Sequence, residues 1–329
     1  LAGPREHLGQ MLGASPVMQA VYTQIDALAS SRATAFITGE SGTGKELAAR
    51  AIHDFSARAP AEFIAVNCAA IPADLIESEL FGEVEGVRGQ SSAREGLLRL
   101  ANGGTLLLDE VCDMPYELQS VLLRFIQHGT FKPVGSDQEL TADVRIIAST
   151  NRDPLFEMRE GRLREDLFYR LHVVPLRMPP LRERGDDIYR LVDHFMARFA
   201  AQEQRSKKVL SEDARRELKR YPWPGNVRQL ENAIHRLIVM TASEVIEYDQ
   251  LRAAIADSDR GENLTPRPLP ATVTEGRSGI EPLWLTEKRA IQSAIDACDG
   301  NINRASGLLE VAPSTIYRKI QSWKDAGDA

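Results

Sequence analysis

Four short apolar runs punctuate the first half of the chain: TAFIT (Thr34–Thr38), FIAV (Phe63–Val66), TLLLDE (Thr105–Glu110) and VRIIAST (Val144–Thr150). Each is too short for a helix and too continuously apolar for a strand with one wet face, so each predicts a buried strand. Amphipathic segments at Ala48–Phe55 and Tyr116–Gln127 lie between them and predict helices. The stretch ASPVMQAVYTQIDALA predicts an earlier helix, with Ser15 as N-cap and Pro16 at the first helical position. Strands alternating with helices imply an α/β fold with a mostly parallel sheet covered on both faces.

After PLRMPPLRERGDD (Pro175–Asp187) the strand signal fades, and Leu191–Ala201, Ser211–Arg220 and Val227–Met240 all read as helices. Asp257–Pro282 is rich in Pro, Gly, Ser and Thr and nearly free of aromatic residues, the composition of a flexible linker. Leu283–Ala329 is helical again, and no internal repeat is visible. The expected division is a linker at 1–14, an α/β unit at 15–178, a helical lid at 179–256, a linker at 257–282 and a small all-α domain at 283–329.

Composition narrows the class. Among 329 residues, 43% are hydrophobic and 26% charged, which is ordinary for a globular protein, and no apolar run is long enough to cross a bilayer. Cys68, Cys112 and Cys298 are far apart and form no C-x-x-C pair, which predicts neither a disulfide framework nor a zinc site. That usage fits a reducing compartment, and the expected location is cytoplasmic. A net charge of −7 excludes a globally basic nucleic-acid coat but not one local DNA-reading element. The chain starts at Leu1 without a signal peptide, so it is expected to be part of something longer.

The strongest chemistry is GESGTGKE (Gly39–Glu46), which follows the strand TAFIT and precedes a helix. This is the context of a P-loop: glycines free the backbone so that consecutive N–H groups ring a phosphate, and the helix N-terminus adds its dipole. Gly39, Glu40, Ser41, Gly42, Thr43, Gly44, Lys45 and Glu46 are the candidate cradle, with Lys45 meeting the β- and γ-phosphates. Glu46 stands where Ser or Thr usually binds magnesium. The bland alternative is a glycine-rich turn with a chance lysine. A second motif weighs against it: GGTLLLDE is an apolar strand ending in two carboxylates, roughly sixty residues further on. Asp109 would hold magnesium and Glu110 would polarise the attacking water. Asn151, closing another strand, is a candidate γ-phosphate sensor or simply a turn residue.

Together GESGTGKE, VNCAAIP, ESELFG, NGGTLLLDE, REDLFYRL, PPLRER and WPGNVRQLEN resemble the AAA+ domain of bacterial enhancer-binding proteins, the NtrC-type activators of sigma-54 RNA polymerase. The resemblance runs from about Leu12 to Leu251. Within that family Glu after the P-loop lysine is usual. The resemblance implies an ATP- and Mg-dependent ATPase in a hexameric ring. It makes Asn67 a switch that holds the Walker B glutamate, and Arg164 and Arg170 fingers for a neighbour's γ-phosphate. It makes Arg228 the sensor arginine of the lid. Either finger taken alone reads better as a surface salt bridge.

One loop departs from the pattern. Members that engage sigma-54 carry GAFTGA after ESELFG, whereas this chain reads GEVEGVRGQSSAREG. The segment is one residue shorter, and Val87 and Arg88 occupy the place of the Phe and Thr that press on the sigma factor. Losing the aromatic anchor removes the group best suited to carry contact energy. Arg99 also replaces a usual acidic residue near the loop base, a charge reversal expected to uncouple the loop from the nucleotide.

The last segment, LTEKRAIQSAIDACDGNINRASGLLEVAPSTIYRKIQSW (Leu285–Trp323), shows three helical patterns separated by tight turns. A short helix, a turn, then a helix with polar and basic early residues is the arrangement that enters a major groove. The segment resembles the Fis-type DNA-binding domain of the same activators. Arg304, Ser314, Thr315, Tyr317, Arg318 and Lys319 are the candidate contacts to double-stranded DNA, while Val311, Ile316 and Ile320 read as core. A helical oligomerisation module is the alternative.

Two functions follow. One is an ATP-hydrolysing hexamer that remodels sigma-54 polymerase from upstream DNA. The other, favoured by the altered loop, is a sigma-54-independent regulator that binds ATP and specific DNA, with nucleotide chiefly controlling assembly. A general unfoldase or clamp loader leaves the helix-turn-helix unexplained. Expected partners are DNA, RNA polymerase, further copies of the chain as dimer and ring, and a sensory domain before Leu1, but no membrane. Some loop-deficient relatives respond to cyclic di-GMP, though no residue here establishes that ligand.

Overall fold

A computed structural model describes residues 5–85 and 93–262, and in the C-terminal segment Ile291, Ala294, Cys298, Asn301, Ile302, Arg304, Ser306, Thr315 and Ile316. The chain divides into two compact units at Pro266 and Arg267.

The first unit opens with an antiparallel hairpin, β1 (His7–Leu8) and β2 (Met11–Leu12), followed by α1 (Pro16–Ala29). The α/β part continues through β3 (Ala35–Thr38), α2 (Lys45–Asp54), β4 (Phe63–Asn67), α3 (Ile76–Phe81), α4 (Leu97–Leu100) and β5 (Thr105–Asp109). It is completed by α5 (Tyr116–His128), β6 (Thr130–Phe131), β7 (Leu140–Thr141), β8 (Arg145–Thr150), α6 (Pro154–Arg159), α7 (Glu165–Leu171) and β9 (Val174–Arg177).

The main sheet is parallel, in the order β4-β5-β8-β3-β9. Successive side chains of a strand face opposite sides, and β5 serves both. Leu106 and Leu108 pack with Phe81, Leu98 and Phe168 on one face. Leu107 joins Ile37, Ile52 and Ile147 on the other. Both faces are therefore dry, which is why these strands read as continuous apolar runs.

The lid comprises α8 (Asp187–Gln202), β10 (Val209–Leu210), α9 (Glu212–Arg220), α10 (Asn226–Met240), β11 (Val245–Ile246) and α11 (Tyr248–Glu262). Its core gathers Leu191, Phe195, Leu218, Trp223, Leu230, Ile234 and Ile255. Trp223 is 1% exposed, and its indole N–H donates to the Leu218 carbonyl at 2.8 Å. Burying such a side chain contributes about 3 kcal/mol while its one polar group stays satisfied.

Three expectations need correction. Residues 7–12 form a hairpin instead of a linker, anchored by buried Leu8 and Met11. A fifth parallel strand, β9, pairs with β3, and Pro175 is tolerated there because β9 lies at the sheet edge. Helix α11 continues to Glu262, past Asp257 where composition predicts the linker. Ala253, Ala254, Ile255 and Ala256 favour helix just ahead of that point, and the polar residues beyond it simply prolong the turn pattern.

In the second unit Ile291, Ala294, Ile302, Arg304, Ser306, Thr315 and Ile316 are helical. Ile291, Cys298, Ser306 and Ile316 are buried, as a small helical core requires. The Asn301 carboxamide oxygen accepts the Arg304 N–H at 3.2 Å, an N-terminal cap.

Candidate functional site

The Asn67 and Asp109 ends of neighbouring strands lie in register, and Thr38 of β3 and Thr150 of β8 end at the same edge of the sheet. Gly39–Gly44 leaves β3 there and turns into α2. Gly42 and Gly44 adopt φ of +74° and +95°, the left-handed geometry that lets successive amides face inward. Lys45 is 7% exposed. Its ammonium donates to the Gly39 carbonyl at 3.1 Å and lies 3.4 Å from Glu110 Oε1.

The carboxylates differ in their fixings. Asp109 Oδ1 accepts from the Ser149 hydroxyl at 2.6 Å. Glu110 Oε2 accepts from the Asn151 backbone N–H at 2.8 Å. Glu110 itself has φ of +53°, a left-handed conformation rare for a long side chain and characteristic of functional sites. Asn151 thus meets Glu110 through its backbone, while its side chain is exposed. Asn67 turns back on its own chain, its oxygen accepting the Ala69 N–H at 2.9 Å.

A cavity of about 620 Å³ adjoins the loop, lined by Thr43 and Gly44, the β1–β2 hairpin residues Gly9 and Met11, and lid residues including Phe195 and Val227. Apolar walls from three elements beside a ring of amides suit a flat heterocycle carrying phosphates. ATP therefore fits. Magnesium also fits the chemistry, since Asp109 and the loop hydroxyls are hard oxygen donors and this ion takes few protein ligands when phosphates supply the rest.

The lid reaches the loop through groups that sequence reasoning missed. Arg182 donates to both oxygens of Glu40, at 2.8 and 2.5 Å. Asn226, fully buried, donates to Glu40 Oε2 at 3.1 Å and to the Ser41 carbonyl at 3.0 Å, while accepting the Leu181 N–H at 2.8 Å. Hydrogen bonding from Arg182 holds the Glu40 carboxyl below the usual carboxylate range. Buried Arg184 donates to the carbonyls of Thr43 (2.5 Å) and Pro179 (2.9 Å), and desolvation lowers its guanidinium to about 10. Asp187 accepts the N–H groups of Ala14 and Ser15, so Ser15 begins α1 through its backbone while its hydroxyl makes no cap. The available signal was RERGDD, five charges in six residues, one residue after the pair Pro179 and Pro180. Predicted sensor Arg228 is exposed and places Nη1 3.4 Å from the Ser41 hydroxyl.

Arg164 and Arg170 face elsewhere. Arg164 forks onto Asp166 at 3.1 and 2.9 Å and lies over the Tyr116 ring, while Arg170 is exposed on α7. The turn before them is fixed from within: the buried Gln119 carboxamide donates to the Arg162 carbonyl and accepts the Arg164 N–H, each at 2.8 Å.

At the variant loop, Glu83 and Arg94 pair backbone to backbone, at 3.0 and 2.9 Å, closing the base. Val87 and Arg88 lie outside the described residues. Arg99 bonds Glu95 at 2.7 Å, one turn away, so its charge is answered locally, and this gives no support to the expected uncoupling. Of the DNA-contact candidates, Arg304 is exposed and Thr315 half-buried; Ser314, Tyr317, Arg318 and Lys319 lie outside the described residues. The cysteines are free and buried, and desolvation pushes Cys68 up to about 12 and Cys112 up to about 11.

Comparison with known proteins matches residues 11–177 to the sigma-54 interaction domain, 182–267 to the AAA+ ATPase lid domain and 282–323 to the Fis family of bacterial regulatory proteins. The regulatory protein LuxO of Vibrio parahaemolyticus is 50% identical over 313 residues, covering 95% of this chain and 69% of that protein. The chain belongs to the NtrC-type enhancer-binding proteins. The regulator NtrC of Azospirillum brasilense is 42% identical over 340 residues, covering 97% of this chain and 70% of its own length. A solved structure of this type, NtrX from Brucella abortus in complex with ATP, superposes with a TM-score of 0.70 at 35% identity, covering 97% of this chain and 70% of that one. As an NtrC-type protein the chain is a sigma-54 activator-type transcription regulator with an ATP-binding AAA+ domain and a DNA-binding helix-turn-helix. Among the described residues, no helix is long and apolar enough to cross a membrane.

Proposed function

We propose that the chain is an ATP-hydrolysing, ring-forming transcription regulator that reads double-stranded DNA and acts on RNA polymerase without sigma-54. The observation that carries the enzymatic half is the convergence of Lys45, Asp109 and Glu110 at one sheet edge, with the lysine 3.4 Å from the glutamate. When bound, ATP and magnesium supply the transferable phosphoryl group and the Lewis acid that neutralises its charge. The Gly39–Gly44 amides and Lys45 bind the phosphates, and Asp109 is the magnesium ligand, oriented by Ser149. Glu110 orients the attacking water, and the Asn151 N–H keeps its carboxylate pointed. Asn67 serves as the switch if it leaves its local turn. Arg164 and Arg170 act in trans, Arg164 exchanging Asp166 for a neighbour's γ-phosphate.

The sigma-54 half rests on sequence: between Gly86 and Gly96 there is neither Phe nor Thr. Arg304, Ser314, Thr315, Tyr317, Arg318 and Lys319 are assigned to DNA, in a dimer that the ring holds near the promoter. Cyclic di-GMP is assigned no residue.

Steady-state ATPase with Glu110→Gln as control tests the first half, with turnover expected to fall at least about 100-fold. Reconstituted transcription with and without sigma-54 tests the second, the regulatory effect being expected to persist without the factor. Strong activation that requires sigma-54 would instead establish a second reading, a working lever. That reading is favoured by the family match through residues 11–177 and by the Glu83–Arg94 stem.

A further inference from the structure

The phosphate loop and the lid are already joined by backbone. Val227 N–H donates to the Gly42 carbonyl at 3.0 Å, and a Cβ on Gly42 would lie 2.2 Å from the Gly225 carbonyl oxygen. Against that fixed point, the Glu40 carboxylate is gripped from two lid elements, by Arg182 in the short turn Leu181–Glu183 and by Asn226 at the start of α10. Buried bonds from Asn226 to the Ser41 carbonyl and from Arg184 to the Thr43 carbonyl hold the lid on the loop. The half-exposed Arg182–Glu40 pair beside them is the contact that trims the lid's angle. The Arg182 and Glu40 side chains are 46% and 41% exposed, so the pair is no buried strut and folding does not depend on it. What pivots with α10 is Val227 and Glu231 in the cavity wall and Arg228 beside Ser41.

We propose that Arg182 and Glu40 are positioning residues: a latch that fixes the lid's angle over the nucleotide and so presents Arg228 and the cavity wall to it. Glu40 then acts through the lid and not by touching phosphate, which gives the second residue of the P-loop a role apart from its neighbours. This rests on the ATP reading above.

The test is affinity of the full chain for a fluorescent ATP analogue with magnesium, in Arg182→Ala, Arg182→Lys, Glu40→Gln, Arg228→Ala and the double variant Arg182→Ala/Arg228→Ala. Arg182→Ala and Glu40→Gln should each weaken binding roughly three- to five-fold while melting temperature shifts by no more than about 3 °C. Arg182→Lys, which keeps the charge, should recover part of the loss. Because the latch works by placing Arg228, the double variant should bind about as well as Arg228→Ala alone, a non-additivity that an unrelated structural role does not produce. Wild-type affinity in Arg182→Ala, or losses that multiply in the double variant, overturns the latch while the ATP reading stands. A wild-type chain that takes up no analogue overturns both, and the two failures are distinct.

Discussion

Two arginine-bearing stretches, RLREDLFYR and PPLRER, lie fewer than fifteen residues apart and do opposite things. In the second, Arg182 and Arg184 turn inward and bond Glu40 and the Thr43 carbonyl of their own phosphate loop. In the first, Arg170 is exposed and the half-buried Arg164 guanidinium forks onto Asp166, two residues away, over the Tyr116 ring. Inward arginines complete a site within one chain. Outward ones, held on a turn that buried Gln119 fixes, suit a site the chain does not itself contain. For Arg184 the difference is one of desolvation, since a buried guanidinium must be satisfied where it stands. Half-exposed Arg182 differs from Arg164 in its partner, a carboxylate of the phosphate loop instead of a neighbour on its own turn.

The largest expected effect separates the two sets by function. Arg170→Ala, and to a similar degree Arg164→Ala, should lower ATP turnover about 1,000-fold while leaving nucleotide affinity of the isolated subunit unchanged. Mixing either variant with Glu110→Gln subunits should restore measurable turnover, since each supplies what the other lacks; no recovery would place the arginines in cis and dissolve the contrast. Next in size, Arg184→Met should destabilise the fold by about 3 kcal/mol, because the Thr43 and Pro179 carbonyls lose their buried donor. Urea unfolding followed by far-ultraviolet dichroism reads this, and an unchanged midpoint would show the inward set to be dispensable to folding.

The smallest effect concerns pH. Arg182 depresses the folded-state pKa of Glu40, so its contribution to stability is fully present above the ordinary glutamate value and is lost as pH falls through the folded value. With both partners nearly half exposed, solvent screening limits this to less than about 1 kcal/mol. The stability–pH curve of Glu40→Gln should accordingly be flatter than wild type below about pH 4, and the difference should shrink in high salt.

The meeting of the glycine loop with Asp109 and Glu110 was legible in the sequence, and the inward contacts of the lid were not. Gly39–Lys45, Asp109 and Glu110 announce themselves because phosphate chemistry demands particular residues at short spacing, and their strands because a two-faced sheet leaves unbroken apolar runs. Arg184, Asp187 and Asn226 gain their meaning only across more than a hundred residues, from the carbonyls and amides they meet. The dense charges after Pro180 are a local hint, yet nothing local says which of them is buried. The β1–β2 hairpin was missed for a related reason: two-residue strands carry no period, and Leu8 and Met11 become core only once α1 and α2 pack over them. Asn67 shows the converse case, a role implied by resemblance while its side chain here accepts from the Ala69 N–H of its own turn.

The left-handed backbone at Glu110 has a practical corollary. Glycine or asparagine would adopt that conformation more comfortably by about 1 kcal/mol, yet neither carries a carboxylate. A library sorted for heat resistance alone should therefore enrich replacements there and return sturdier, inert proteins. Any campaign to toughen this molecule has to score turnover alongside endurance, or it will discard the carboxylate proposed to orient the attacking water.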